Sequence, residues 1–314
     1  RMCRTYKNET PWVDEPAEIP CKILEFPCET LAAFFRVFFE NRKIMGLDDR
    51  RPEVMPFERQ FQVQRDKFNA MNWNEEKEFY MIGTDRTHFQ VWQPGWTGGG
   101  LSGYPLMKLG GPLEQERQMK TLHYLFSTQQ ESGFFPGIVD FSGKAFGDGF
   151  LVEGTENYHL IRKSADVLYI LMKHFKLMGE RSIEIPEEFL AGTKKLADAF
   201  VRLYRKYGQF GHFVDDKTGD IIVGGSTSGA IAPAGLAMAS RFFDRAEYME
   251  VAEAMAEHYY RTSLSRGYTT GGPGEILQGV DSESAFGLLE TYVVLYEMTG
   301  NEKYLAWARE NAHY

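Results

Sequence analysis

Apolar residues recur at helical spacing through the last two-thirds of the chain, and they do so in two different ways. Between Ala246 and Ser263, Tyr248, Val251, Ala252, Met255 and Tyr259 fall on one face, while Glu247, Glu250, Glu253 and Glu257 fall on another. That is the pattern of a surface helix with one side against a core. Residues 187–206 repeat it, with Phe189, Thr193, Leu196, Phe200 and Leu203 set against Lys194, Lys195, Asp198 and Arg202. Residues 285–298 differ. Phe286, Leu288, Leu289, Tyr292, Val293, Val294, Leu295 and Met298 leave almost no polar face, which predicts a helix enclosed on all sides. The stretch SGAIAPAGLAMAS (228–240) is built of small residues, which lets neighbouring backbones approach closely. Pro233 is expected in its first turn, where a missing N–H costs nothing.

The two kinds of helix alternate. Five times an apolar helix meets a short polar turn and an amphipathic helix follows, the turns being centred near Gly46, Gly110, Gly179, Asp244 and Gly300. The differences between these positions are 64, 69, 65 and 56 residues, longer than the common solenoid repeats. Each unit carries a long segment rich in glycine and aromatics before its first helix. Buried helices alternating with one-sided helices predict two concentric rings, an all-α (α/α) toroid of helical hairpins. The long segments would gather over the N-termini of the inner helices, where helix dipoles converge and a site is expected. An open α-solenoid is the alternative, but its repeats rarely carry such long loops on one side. Residues 1–28 read as an N-terminal extension and 29–314 as the toroid.

Four stretches stand out within this frame: WQPGWTGGG (92–100), QQESGFFPG (129–137), GGSTSGAIAPAGLA (224–237) and GVDSESAFGLLE (279–290). Together with the hairpin repeat, they make residues 29–314 resemble the six-hairpin glycosidase superfamily, the (α/α)6 toroids that degrade carbohydrates. The resemblance implies a carbohydrate-active enzyme without assigning a family. Five hairpins are counted rather than six, and the chain stops in an amphipathic stretch, AWARENAHY. Either a sixth hairpin is missing or the N-terminal residues close the ring differently. A first residue of Arg1 rather than Met is expected of a processed or trimmed product.

Composition narrows the partners. The 314 residues are 43% hydrophobic, enough for a large core, and carry a formal net charge of -9 with no basic stripe, which argues against nucleic acid. No run approaches the ~18 apolar residues of a membrane span. Cys3, Cys21 and Cys28 lack zinc-site spacing, and none of the seven histidines forms an HExxH or similar motif, so neither metal nor cofactor is expected. The expected partner is an oligosaccharide or polysaccharide fragment.

The chemistry should lie in the loops. Trp92, Trp96 and Tyr104 are flat surfaces on which sugar C–H faces stack, Gln93 and Thr97 offer polar groups, and the glycines between them permit close backbone approach. The tryptophans could equally plug the end of the core. Loop 131–160 holds Asp140, Asp148 and Glu153, each commonly a turn residue, and leads into an inner helix predicted over 158–178. Tyr158, His159, Arg162 and Asp166 mark its early turns. Arg162 and Asp166, four apart, can pair on one face, or Arg162 could hold the carboxylate of an acidic sugar.

Asp281 and Glu283 open the most apolar helix. Glycoside hydrolysis needs one protonated and one ionised carboxyl flanking a bond. An N-cap Asp and a first-turn Glu are also ordinary helix starters. Residues two apart diverge by about 200° around the axis, so the two do not form both halves of one pair. Asp281 is expected to cap the helix or serve as base, and Glu283 to reach the cavity. The partner acid should come from another loop, with Asp148 or Glu153 as first candidates and Glu275 as a weaker one. Ser226 and Thr227, in GGSTSG, lack the GxSxG elbow and read as a loop with a ligand contact. The catalytic candidates are thus Glu283, Asp281 and Asp148, and the substrate-binding candidates are Trp92, Gln93, Trp96, Thr97, Tyr158, His159, Arg162 and Ser226. The leading reading is a glycoside hydrolase acting on an oligosaccharide, including one that contains uronic acid. Its rivals are a lyase using Tyr158, His159 or Tyr268 beside Arg162, a sugar epimerase with two facing histidines, and a non-catalytic carbohydrate-binding toroid.

Overall fold

A computed structural model describes residues 23–45, 55–84, 90–95, 97–149, 152–272 and 279–313. The chain divides into two compact units, residues 1–48 and 49–314. In the first, the described residues form one helix, α1 (Leu31–Met45), along which Phe34 and Phe38 stack with ring centroids 6.4 Å apart. The turn expected at Gly46 lies outside the described residues.

The second unit opens with α2 (Phe57–Lys67), continued by a π-helical turn over Phe68–Asn72. Four helical hairpins follow: α3 (Gly103–Leu109) with α4 (Pro112–Ser127), α5 (Ile161–Glu180) with α6 (Glu187–Tyr207), α7 (Ala232–Phe242) with α8 (Ala246–Thr262), and α9 (Ser282–Thr299) with α10 (Glu302–Asn311). Their turns fall at Gly110, Asp244 and Gly300 and, between α5 and α6, at residues 181–186, just past the expected Gly179. Gly300 takes the left-handed conformation (φ 67°) that ends α9, a backbone region where a Cβ is costly. α6 buries Phe189, Thr193, Leu196, Phe200 and Leu203 on one face, as its periodicity predicts.

Small residues set the inner layer. α7 packs against both α5 and α9. A Cβ on Gly235 would lie 2.7 Å from Leu168 Cγ and 2.9 Å from the Tyr169 amide, so this glycine is what lets α7 seat on α5. Pro233 does sit in the first turn of α7. There Thr291 Oγ1 donates to the Ala230 carbonyl (2.7 Å) and accepts from the Ala234 amide (3.2 Å), tying α9 to the start of α7. Across the small α7, Arg162 meets Glu283 and Tyr169 meets Glu290. Both pairs span 121 residues, so α5 and α9 run parallel and in register.

Two expectations need correction. α9 is not enclosed on all sides: Phe286 is 51% and Val293 38% exposed, because one face of the helix turns away from the core. Nor does the inner helix begin at Tyr158, although the all-α architecture stands. The long segments hold short antiparallel ladders: β1 (Trp73–Asn74) with β2 (Phe79–Tyr80), β3 (Ile138–Val139) with β4 (Ala145–Phe146), and a three-stranded sheet of β5 (Tyr158–Leu160), β6 (Phe213–Asp215) and β7 (Ile221–Val223). β5 takes the first three residues of the helix predicted from Tyr158, so α5 starts at Ile161, whose amide donates to the His212 carbonyl at 2.9 Å.

Candidate active site

Three loops converge on the N-termini of α5 and α9. The loop after α8 is zipped to the start of α9: the Asp281 amide donates to the Thr269 carbonyl (3.0 Å), and Thr269 Oγ1 donates back to the Asp281 carbonyl (2.6 Å). Asp281 is the N-cap of α9. Its Oδ1 accepts from the Ser284 amide at 2.7 Å, and its Oδ2 accepts from the Gly272 amide at 3.1 Å. Both oxygens are thereby committed to backbone donors. Only glycine fits at 272, since an added Cβ would lie 2.4 Å from Asp281 Oδ1 and 2.8 Å from Glu283 Cβ.

Glu283, in the first turn of α9, points the other way. Its side chain is about half exposed (47%), and its carboxylate meets the Arg162 guanidinium. Arg162, in the first turn of α5, also donates to the Gly272 carbonyl (3.4 Å) and lies 3.5 Å, through Nε, from Asp166 Oδ2. One guanidinium therefore stands between two carboxyl groups on different helices. Asp166 is buried, with Gly95 folded over it so that a Cβ there would sit 3.7 Å from Oδ2. Burial pushes its pKa up to about 6, against the pull of Arg162, so it keeps its proton into weakly acidic solution.

Asp148, expected as the partner acid, sits elsewhere. It is buried, its Oδ2 accepts from the Leu160 amide at 2.8 Å, and its Oδ1 pairs with Lys163. Lys163 also donates to the Gly137 carbonyl (2.8 Å), and burial lowers its pKa while Asp148 opposes the shift. With both oxygens held, Asp148 anchors the loop to α5. Glu153 is exposed on its loop, and Asp140 binds its own turn through Ser142 and Lys144.

The aromatic platform also needs correction. Trp92 is fully buried, edge-on to Tyr124 at 5.3 Å and bridged through its backbone to Val139, so no ring face is open to a sugar. The neighbouring glycines serve internal packing: a Cβ on Gly98 would lie 2.2 Å from Trp92 Nε1, and one on Gly99 2.5 Å from Val167 Cγ2. Gln93 is buried and accepts from Gln90 Nε2 (2.7 Å), and Thr97 is buried with no partner for Oγ1 among the described residues. Trp96, Glu275 and His88 lie outside the described residues.

Tyr158 is half-buried and tilted on Phe213, its sheet neighbour once removed, at 5.6 Å. His159 is fully buried. Its Nε2 bonds Ser164 Oγ (2.7 Å), its Nδ1 lies 3.8 Å from Asp148 Oδ2, and burial lowers its pKa to about 4. This order of Ser, His and Asp resembles a nucleophile relay, but Ser164 is itself wholly buried and meets no substrate. The Tyr268 hydroxyl donates back to the Thr262 carbonyl (3.4 Å). Ser226 is half-buried near the cluster, with Oγ 3.0 Å from His212 Nδ1, and Gly271 packs against both. Sequence reasoning overlooked His212, and it treated Asp166 only as an ion-pair partner. Its i,i+4 spacing from Arg162 was the available signal.

The fold is that of an (α/α) toroid of helical hairpins. Among solved structures, the chain is similar to a GH76 α-mannanase of Bacteroides thetaiotaomicron (12% identity, TM-score 0.59, covering 83% of this chain and 71% of that one). It is also similar to a family 76 mannosidase of the same organism (13% identity, TM-score 0.56, covering 81% and 70%). A variant of UGL with dGlcA-Glc-Rha-Glc gives 15% identity and a TM-score of 0.51, covering 81% of this chain and 65% of its own. The chain thus spans just under two-thirds of that enzyme's length. No protein-family model and no curated protein matches the chain.

Proposed function

We propose that the chain is a carbohydrate-active hydrolase that cleaves a glycosidic bond of an oligosaccharide, with Asp166 and Glu283 as its carboxyl pair. The observation that carries this reading is the arrangement at the helix N-termini: a buried carboxyl that keeps its proton to about pH 6, and a half-exposed carboxylate, on either side of Arg162. Asp166 would protonate the leaving oxygen. Glu283 would activate water or attack the anomeric carbon, and one water would be consumed per bond broken. Arg162 would meet the carboxylate of an acidic sugar once that sugar displaces Glu283. Asp281 and Ser226 would position the loops around the cluster. The toroid fold of known glycoside hydrolases supports the reading as an analogy of fold.

The test is turnover of neutral and uronic-acid-containing oligosaccharides by Asp166→Asn and Glu283→Gln. Each should lower kcat by about 10²–10⁴ while circular dichroism stays unchanged. Retention of more than half the activity by both variants would remove the assignment.

A further inference from the structure

On the face of α5 that carries Arg162 and Asp166, helical spacing continues through Tyr169, Lys173 and Lys176. These lower residues line a second feature, a cleft of about 730 Å³ between the C-terminal halves of α5, α7 and α9 and the short α3. Its upper limit is the Tyr169–Glu290 hydrogen bond, two turns below the Arg162–Glu283 pair, so it is distinct from the carboxyl cluster. The volume lies in the range of small-molecule sites, about 300–1,000 Å³.

Four cations, Lys108, Lys173, Lys176 and Arg241, line the cleft with three carboxylates, Glu180, Glu290 and Glu297. Among the described residues, none of the four has a carboxylate within 4.0 Å, although the chain carries a net charge of -9. Lys108 and Arg241 sit in the last turns of α3 and α7, where the helix dipole alone favours a cation. Lys173 has no such explanation, being seven residues short of the end of α5. It is half-buried and held between two rings, its Nζ 5.3 Å from the Tyr104 centroid and 5.2 Å from that of Tyr169. Glu290 accepts from the Tyr169 hydroxyl, and among the described residues it forms no ion pair with Lys173. Met172, Met238 and Val294 add apolar lining. The cleft therefore offers unpaired ammonium donors, aromatic faces and an apolar wall together.

We propose that this cleft is a second ligand site, taking a small acidic saccharide whose carboxylate or sulfate groups meet Lys173, Lys176 and Arg241 and whose ring packs on the apolar wall. The site is one of binding, and it does not depend on the hydrolase reading.

Isothermal titration calorimetry tests it with digalacturonate, a neutral digalactoside and inorganic sulfate as probes. The titrations use the full chain carrying Arg162→Gln and Glu283→Gln, which silences the upper cluster. This chain should bind one digalacturonate. Adding Lys173→Gln with Lys176→Gln should raise Kd at least about tenfold without changing the melting temperature, whereas Lys173→Arg should stay within about threefold. If the silenced chain does not fold, the unmodified chain serves. The cleft variants should then remove one class of digalacturonate binding and leave turnover of any cleaved oligosaccharide intact. Absence of digalacturonate binding, equal affinity for the neutral disaccharide, or indifference to the lysine variants would each overturn the proposal. Sulfate binding as tight as digalacturonate would replace the saccharide with a bare anion and overturn it as stated.

Discussion

Asp166→Asn should stabilise the protein at neutral pH while removing its activity. The folded carboxyl has a pKa of about 6 against the ordinary aspartate value of 3.8, a rise caused mainly by burial. Between those values the native state holds a proton that the unfolded state has released. Stability from this group is therefore fully present below about pH 3.8 and is lost as pH rises through about 6. At 1.36 kcal/mol for each pH step between the two values, the loss amounts to about 3 kcal/mol at pH 7. Asparagine resembles the protonated acid in shape and polarity and does not ionise, so it escapes that loss. Arg162 keeps Glu283 and the Gly272 carbonyl as partners. For a unit of this size, about 3 kcal/mol corresponds to a gain of about 6–12 °C in melting temperature. Scanning calorimetry of both proteins from pH 4 to pH 8 is the assay. The curves should lie close together near pH 4 and separate through pH 6. A variant less stable than the parent at pH 7, with an unchanged pH slope, would refute the burial argument for Asp166.

Other substitutions separate structural carboxylates from chemical ones. Asp148→Asn leaves Lys163 buried without its anion, and should cost about 3–5 kcal/mol in urea unfolding. Asp281→Ala removes the α9 N-cap and should cost about 1–2 kcal/mol, measured the same way, with hydrogen exchange rising first at the Ser284 amide. Trp92→Ala empties a fully buried site and should cost about 3–5 kcal/mol, where a ligand platform on the surface would cost little.

Much of the helical frame was legible because it depends on local pattern. An apolar run, a polar turn and a one-sided helix can be read from neighbouring residues, and the turns at Gly110, Asp244 and Gly300, and the one just past Gly179, follow from them. Asp281 was readable as a cap for the same reason, since its partner amide is three residues away. The two- and three-residue strands were too short to show a period of two. Trp92 misled because composition shows that a ring is present and not which way it faces. Only the tertiary contact with Tyr124 and Val139 places it inside. The surroundings of Asp166 and Asp148 were hidden for a similar reason. The burial of Asp166 comes from the Gly95 loop, and the neutralisation of Asp148 comes from Lys163 on α5. Neither contact is written in the residues beside them.

Hydrolysis by the Asp166–Glu283 pair at the mouth of the inner helices is decided by mass spectrometry of products formed in ¹⁸O-labelled water from neutral and uronic-acid-containing oligosaccharides. Hydrolysis predicts two fragments whose summed mass exceeds the substrate by one water, with a single ¹⁸O in one of them, and no such products from Glu283→Gln. Unlabelled fragments with an unsaturated end, or an isomer of unchanged mass, would contradict it.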